Sequence, residues 1–115
     1  MQFEAQDRHY RAHYDGAEFL VIEAEATAIG RLYLHHGSAG LRIMDIALLP
    51  DWRGKGIGTA LLRQLLVQAH SAGQAVSIHV EQFNPARHLY ARLGFEPVSE
   101  NGPYLLMESQ PKTAE

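Results

Sequence analysis

One stretch of the chain constrains its fold more than any other. Leu41 to Leu49 is apolar except for Arg42 and Asp45, and it runs straight into Pro50 and the glycine-rich turn Arg53-Gly54-Lys55-Gly56-Ile57-Gly58. Nine residues of that kind predict a central strand covered on both faces, because an edge strand with one wet face would alternate polar and apolar. Pro50 ends the strand, since proline has no N–H for a sheet ladder. Helical spacing begins directly after the turn. Ile57, Leu61 and Leu65 lie four apart, and Leu62, Leu66 and Ala69 form the adjoining stripe, with Gly73 placed to stop the helix. A buried strand, a flexible turn and an amphipathic helix in immediate succession belong to an α/β architecture.

The flanking segments fit around that unit. Glu18 to Glu25 reads as a strand, and Ile29 to His35 pairs back on it through a tight turn near Ala26–Ala28, with residues 36–40 as a loop. Val76, Ile78 and Val80 alternate with Ser77, His79 and Glu81, predicting another strand. Asn84-Pro85 reads as a helix cap followed by proline in the first turn, and that helix runs to Leu93 and stops at Gly94. Residues 95–99 and 104–108 flank Asn101-Gly102, a strong hairpin signal. Residues 3–14 read as a short helix of mixed polarity, making residues 1–16 a partial N-terminal helix. With 115 residues the chain makes one domain with a single core.

Composition narrows the function classes. The chain has no cysteine, which excludes disulfides, thiolate metal sites and a cysteine nucleophile, and fits a reduced, cytoplasmic setting. No apolar run reaches the roughly 18 residues of a membrane span, and residues 1–8 have no secretory apolar core. The net charge of −3 argues against nucleic acid as a partner. That charge is uneven: residues 51–92 carry five basic and two acidic side chains, so the remainder is strongly acidic. A basic middle suits a local anionic ligand, although a chance excess of solvated charge would look the same.

The turn itself suggests which anion. The first turn of a helix has N–H groups without intrahelical acceptors, and the helix dipole makes that end positive. Glycines let an anion approach the backbone, and Arg53 and Lys55 add charge, so the segment reads as a phosphate cradle. It is not a Walker loop, because Gly54-Lys55 is followed by Gly56 rather than Ser or Thr. It is not a dinucleotide turn, because Gly54, Gly56 and Gly58 are one residue short of that spacing. A tight loop that merely packs helix on sheet remains the other reading.

The spacing that does match is Arg-x-x-Gly-x-Gly over residues 53–58, and here the chain resembles the GNAT N-acetyltransferase superfamily. The resemblance spans residues 41–95 and includes a second stretch, Asn84-Pro85-Ala86-Arg87-His88-Leu89-Tyr90-Ala91-Arg92-Leu93-Gly94-Phe95, in family order. It implies a mixed, largely antiparallel sheet flanked by helices, here lacking the family's usual first strand and helix, with an acyl-CoA-binding core over 41–95 and a closing hairpin over 95–109. It implies acetyl-CoA as co-substrate without a metal, and transfer of acetyl to a primary amine by direct attack in a ternary complex. A CoA-binding module without turnover is the alternative. By the same resemblance, Arg53 and the amides of Gly54, Lys55, Gly56, Ile57 and Gly58 hold the CoA diphosphate, with Thr59 at its edge. Backbone groups around Ile46, Ala47 and Leu48 would pair with the pantetheine arm, and one amide there would polarise the thioester carbonyl. Asn84 would contact the cofactor, although a helix cap explains it equally well. Tyr90 would protonate the departing thiolate; its helical spacing with Ala86 and Leu93 also suits a packed core aromatic.

The general base is open. Asp45 and Glu81 are the carboxylates nearest the expected cleft, and Asp45 reads at least as well as a buried acid paired with a hydroxyl or arginine. Trp52 either covers the cofactor or shields the sheet. His9 and His13 lie four apart without a third ligand, so they read as a surface pair. His35 and His36 stand at a loop start, His79 lies on the polar side of its strand, and His70 and His88 read as solvated. Without a first strand the segment 18–25 would expose an edge, which a second copy would cover, giving a homodimer. The acidic flanks favour a cationic amine as acceptor.

Overall fold

The computed structural model describes residues 3–7 and 16–111. Seven strands form one sheet: β1 (Phe3–Asp7), β2 (Ala17–Ala24), β3 (Thr27–Gly37), β4 (Gly40–Leu48), β5 (Val76–Glu81), β6 (Glu96–Asn101) and β7 (Tyr104–Ser109), with helices α1 (Ile57–Ser71) and α2 (Ala86–Arg92). The spatial order is β1-β2-β3-β4-β5-β7-β6. Every neighbouring pair is antiparallel except β4 and β5, which are parallel because α1 intervenes as a crossover. The expected mixed, largely antiparallel α/β sheet is therefore present. No helix among the described residues is long and apolar enough to cross a membrane.

Residues 3–7 are a strand and not part of a helix. In the register of the ladder Phe3 pairs with Ala24, Glu4 with Glu23, Ala5 with Ile22 and Gln6 with Val21. Five residues alternate too briefly to distinguish strand from helix, and the bare ladder of β2 decides the matter by supplying partners. Residues 8–14, including His9 and His13, lie outside the described residues. The edge expected at 18–25 is covered by β1, which removes the ground given for a second copy there.

The β2–β3 hairpin turns on Glu25 and Ala26, one residue earlier than the expected turn, and both have positive φ, 53° and 64°. That is the backbone of a type I′ turn, which Asn-Gly adopts with least strain. Each L-residue with a side chain in this region costs about 1–2 kcal/mol. Replacing Glu25-Ala26 by Asn-Gly is thus expected to stabilise the protein by about 1–2 kcal/mol; a urea midpoint that does not rise would refute this.

A single core lies on one face of the sheet. Ile22, Leu32, Ile43, Val76, Ile78 and Met107 meet Ile57, Leu61, Leu62 and Leu66 of α1 and Tyr90 of α2, and Phe95 is 2% exposed among them. Both helices therefore pack on the same side. The expectation that residues 41–49 are covered on both faces is not met: Leu41 and Ile43 are buried, while Arg42 is exposed and Met44 is 60% exposed. The opposite face carries Phe19 and Tyr33, edge-on at 4.7 Å, with the Arg31 guanidinium 5.9 Å from the Tyr33 ring centre. The apolar run is thus a one-sided strand in which a bulge at Met44 disturbs the alternation.

At the far rim, β6 is exposed along its whole length. It contains Pro97, a register shift between Pro97 and Ser99, and the charges of Glu96 and Glu100, features that discourage further strand pairing.

Candidate functional site

The site begins where β4 and β5 part. They pair only over Leu41–Ile43 and Val76–Ile78, although β4 continues to Leu48 and β5 to Glu81. The separation starts at a bulge. Leu34 stands opposite Ile43 and Tyr33 opposite Asp45, so Met44 has no partner in β3. An extra residue bends its strand and shifts the alternation of its ladder by one.

That shift determines which main-chain groups face the gap. Before the bulge, the Leu41 N–H donates to the Ala75 carbonyl on the β5 side, at 2.9 Å. After it, the Leu49 N–H donates to the Ile29 carbonyl on the β3 side, at 2.7 Å. Antiparallel bonding alternates every second residue, so Ala47 and Asp45 bond toward β3 while Ile46 and Leu48 turn toward β5. The Leu48 carbonyl accordingly accepts a hydrogen bond from Arg53 Nε at 3.0 Å. Of the three residues singled out by resemblance, Ile46 and Leu48 present backbone to the gap, and Ala47 is taken up by the β3 ladder. Close approach of β3 supports this stretch: a Cβ added at Gly30 would come within 2.2 Å of the Ala47 carbonyl oxygen.

The glycine turn lies beyond the end of β4. Residues Pro50–Trp52 form one 3₁₀ turn, and Gly54 and Gly56 then take left-handed φ of 73° and 79°. Gly56 opens α1, where Ala60 N–H is the first to find an intrahelical acceptor, Gly56 O at 3.0 Å. The N–H groups of Ile57, Gly58 and Thr59 therefore lack intrahelical partners. No side chain caps this end, and no acidic residue stands in the first turn. A helix start normally has one or both. A Cβ added at Gly54, Gly56 or Gly58 would meet nothing within 4 Å, so the loop fronts open space. Arg53 and Lys55 are exposed beside it. The bond to Leu48 uses one of the five donors of Arg53 and anchors its guanidinium between the gap and the loop. Uncapped amides, open space and two cations fit a diphosphate, and nothing in the donor set suits a metal. Among the described residues no cluster of three potential metal ligands occurs.

The candidate catalytic groups are placed differently from one another. Tyr90 is 8% exposed and packs edge-to-face on Phe95, ring centres 5.9 Å apart. Burial pushes its phenol above the ordinary value, because the phenolate would lose hydration. Asp45 is not buried; it is half-exposed and its Oδ2 accepts from Arg31 Nε at 2.6 Å. The carboxylate raises the Arg31 pKa, first through that hydrogen bond and then through charge attraction. The expected arginine partner is present; the expected burial is not. Glu81 is exposed at the end of β5. Asn84 Oδ1 accepts from Ala86 N–H at 2.9 Å, so it caps α2 as expected. Trp52 is half-buried against the core.

The remaining histidines also resolve. His35 and His36 belong to β3 rather than a loop, and His36 Nε2 lies 2.9 Å from Glu18 Oε1. His70 is not solvated but part-buried against Ser109. His79 and His88 are exposed. Sequence reading missed the bulge at Met44 and did not say which arginine would pair with Asp45; both depend on register between strands, and only the hairpin pairing of 18–49 could have hinted at them.

Comparison with known proteins follows the same lines. Residues 15–97 match the model of the acetyltransferase (GNAT) domain. The [ribosomal protein bS18]-alanine N-acetyltransferase of Haemophilus influenzae is 39% identical over 57 residues, covering 49% of this chain and 39% of that protein. The mycothiol acetyltransferase of Propionibacterium freudenreichii is 31% identical over 108 residues, covering 88% of this chain and 35% of that protein. The chain thus spans well under half the length of these two relatives. Among solved structures, the ribosomal-protein-S18-alanine N-acetyltransferase of Escherichia coli superposes with a TM-score of 0.75 at 18% identity, over 90% of this chain and 74% of that one. A GNAT family acetyltransferase of Elizabethkingia anophelis with acetyl-CoA bound gives 0.72 at 18% identity, over 95% and 97%. The PaiA N-acetyltransferase of Thermoplasma acidophilum in complex with coenzyme A gives 0.71 at 24%, over 80% and 59%.

Proposed function

Because the chain belongs to the GNAT acetyltransferase family, we propose that it moves an acetyl group from acetyl-CoA to a primary amine by direct attack within a ternary complex. The observation that carries this reading is the pairing of two backbone surfaces: uncapped amides at Ile57–Thr59 and the outward main chain of Ile46 and Leu48 across the β4–β5 gap. The first suits the diphosphate of CoA, with Arg53 and Lys55 adding charge. The second suits the pantetheine arm, whose amides would add to β4 as a short strand. The Ile46 N–H would then polarise the thioester carbonyl as its oxygen gains charge.

In this mechanism the neutral amine forms a C–N bond as the C–S bond breaks. The sulfur leaves as thiolate and takes a proton from the Tyr90 hydroxyl, and a proton from solvent then restores the phenol, whose burial disfavours the phenolate. The amine's excess proton departs to solvent, through Glu81 or Asp45 and an intervening water. Glu81 is the better placed of the two, since Arg31 already occupies Asp45. The acidic flanks of the sequence favour an amine that arrives protonated and loses that proton to water before attack.

Calorimetry with CoA, followed by thiol release against a panel of amines, tests the proposal. Heat of binding together with release in the presence of an amine is expected. Binding without release from any amine would favour the alternative, a CoA-binding module; no binding would overturn both.

A further inference from the structure

A second cleft lies at the other end of the helix pair. It has a volume of about 660 Å³ and is bounded by α1, the end of α2 and the end of β7. Its apolar surface comes from Leu66, Val67 and Leu93, with Val67 66% exposed. Its polar surface includes Arg63, Arg92 and His70, and among the described residues no carboxylate lines it. Val67 is ten residues beyond Ile57, about 15 Å along α1, so the cleft is separate from the glycine loop.

Among the described residues the charges in this cleft have no counter-charge. Neither Arg63 nor Arg92 makes an ion pair among the described residues. Arg92 alone would be explained by the last turn of α2, where a cation suits the helix dipole. Arg63 stands in the first half of α1, where that explanation fails. His70 is held in place: its Nε2 lies 3.2 Å from the Ser109 carbonyl oxygen and 3.3 Å from Ser109 Oγ. A carbonyl only accepts, so Nε2 carries the hydrogen and the ring cannot rotate freely. Ser109 is itself 4% exposed, which fixes the wall.

We propose that this cleft binds a small organic carboxylate with an apolar body, the carboxylate between Arg63 and Arg92 and the body against Leu66, Val67 and Leu93. Guanidinium groups match a carboxylate in planar, two-bond geometry. The volume lies within the range of small-molecule sites, and a mostly apolar lining with a few polar groups is their usual make-up. Inorganic phosphate would satisfy the charges and leave the apolar wall wet, so it should bind less well. The proposal is independent of acetyl transfer.

The probe is 4-phenylbutyrate, followed through the backbone amide resonances of Val67 and Gly94. It should shift both, while the neutral 4-phenylbutyramide should not. The exposed pair exchanged as R63Q/R92Q should weaken the effect at least about tenfold. Val67→Asp, which sets a like charge on the wall, should do the same while leaving CoA binding intact. No shift with the carboxylate would overturn the proposal. So would equal shifts with the amide or with inorganic phosphate, or retention of full binding in both variants.

Discussion

Gly56→Val is expected to lower CoA affinity about 100-fold while leaving the sheet folded. Gly56 holds φ at 79°, and its missing Cβ looks onto the open space before the α1 amides. Valine there has two effects. It strains the backbone by about 1–2 kcal/mol, more for a β-branched residue. It also sets methyl groups in front of N–H donors that would otherwise meet a diphosphate. Hydrogen bonds to a charged partner contribute about 1.5–3 kcal/mol each, so losing one or two accounts for the expected factor. Gly73→Val provides the control. Gly73 has φ of 74° and equally open surroundings, but it stands past the far end of α1. It should lose similar stability and no affinity. Equal losses of CoA binding in both variants would show that strain alone was measured and would remove the loop from the binding site.

Tyr90→Phe is expected to slow turnover by about 10²–10⁴-fold, the usual contribution of a positioned acid, with CoA affinity nearly unchanged. The ring and its edge-to-face contact with Phe95 survive the substitution, so stability should change little. Tyr90→Ala differs, because truncating a buried aromatic costs about 3–5 kcal/mol. The two variants separate the hydroxyl from the packing, which were competing readings of this residue. Because burial raises the phenol's pKa, the donor form persists at neutral pH and the activity should show no loss from Tyr90 ionising below its ordinary value of about 10. The sign for stability is the same: the folded state favours the neutral phenol, so this contribution is complete below pH of about 10 and fades as the pH rises through the higher folded value. Unchanged turnover in Tyr90→Phe would leave the residue with a packing role only.

Much of the arrangement was legible because it is local. The i, i+4 spacing of Ile57, Leu61 and Leu65 announces α1, and the Asn84 cap announces α2. The glycines mark the turn, and the amides of Ile57–Thr59 follow from where a helix begins. What escaped reading depends on pairs of strands. Whether Phe3–Asp7 joins a helix or a ladder depends on β2 being there to bond it. The bulge at Met44 exists only in the register of β4 against β3, and it decides that Ile46 and Leu48, rather than Ala47, look into the gap. Asp45 was expected inside because its strand is apolar; the helices cover only one side, so the other leaves Asp45 beside Arg31 near water.

The rim strand β6 has one more consequence. Proline, a bulge and two glutamates make it a poor template for a neighbour, so lateral growth of the sheet is closed on that side. Among the described strands, the margin left to template fibrillar stacking or strand exchange at high concentration is the opposite one, at Phe3–Asp7.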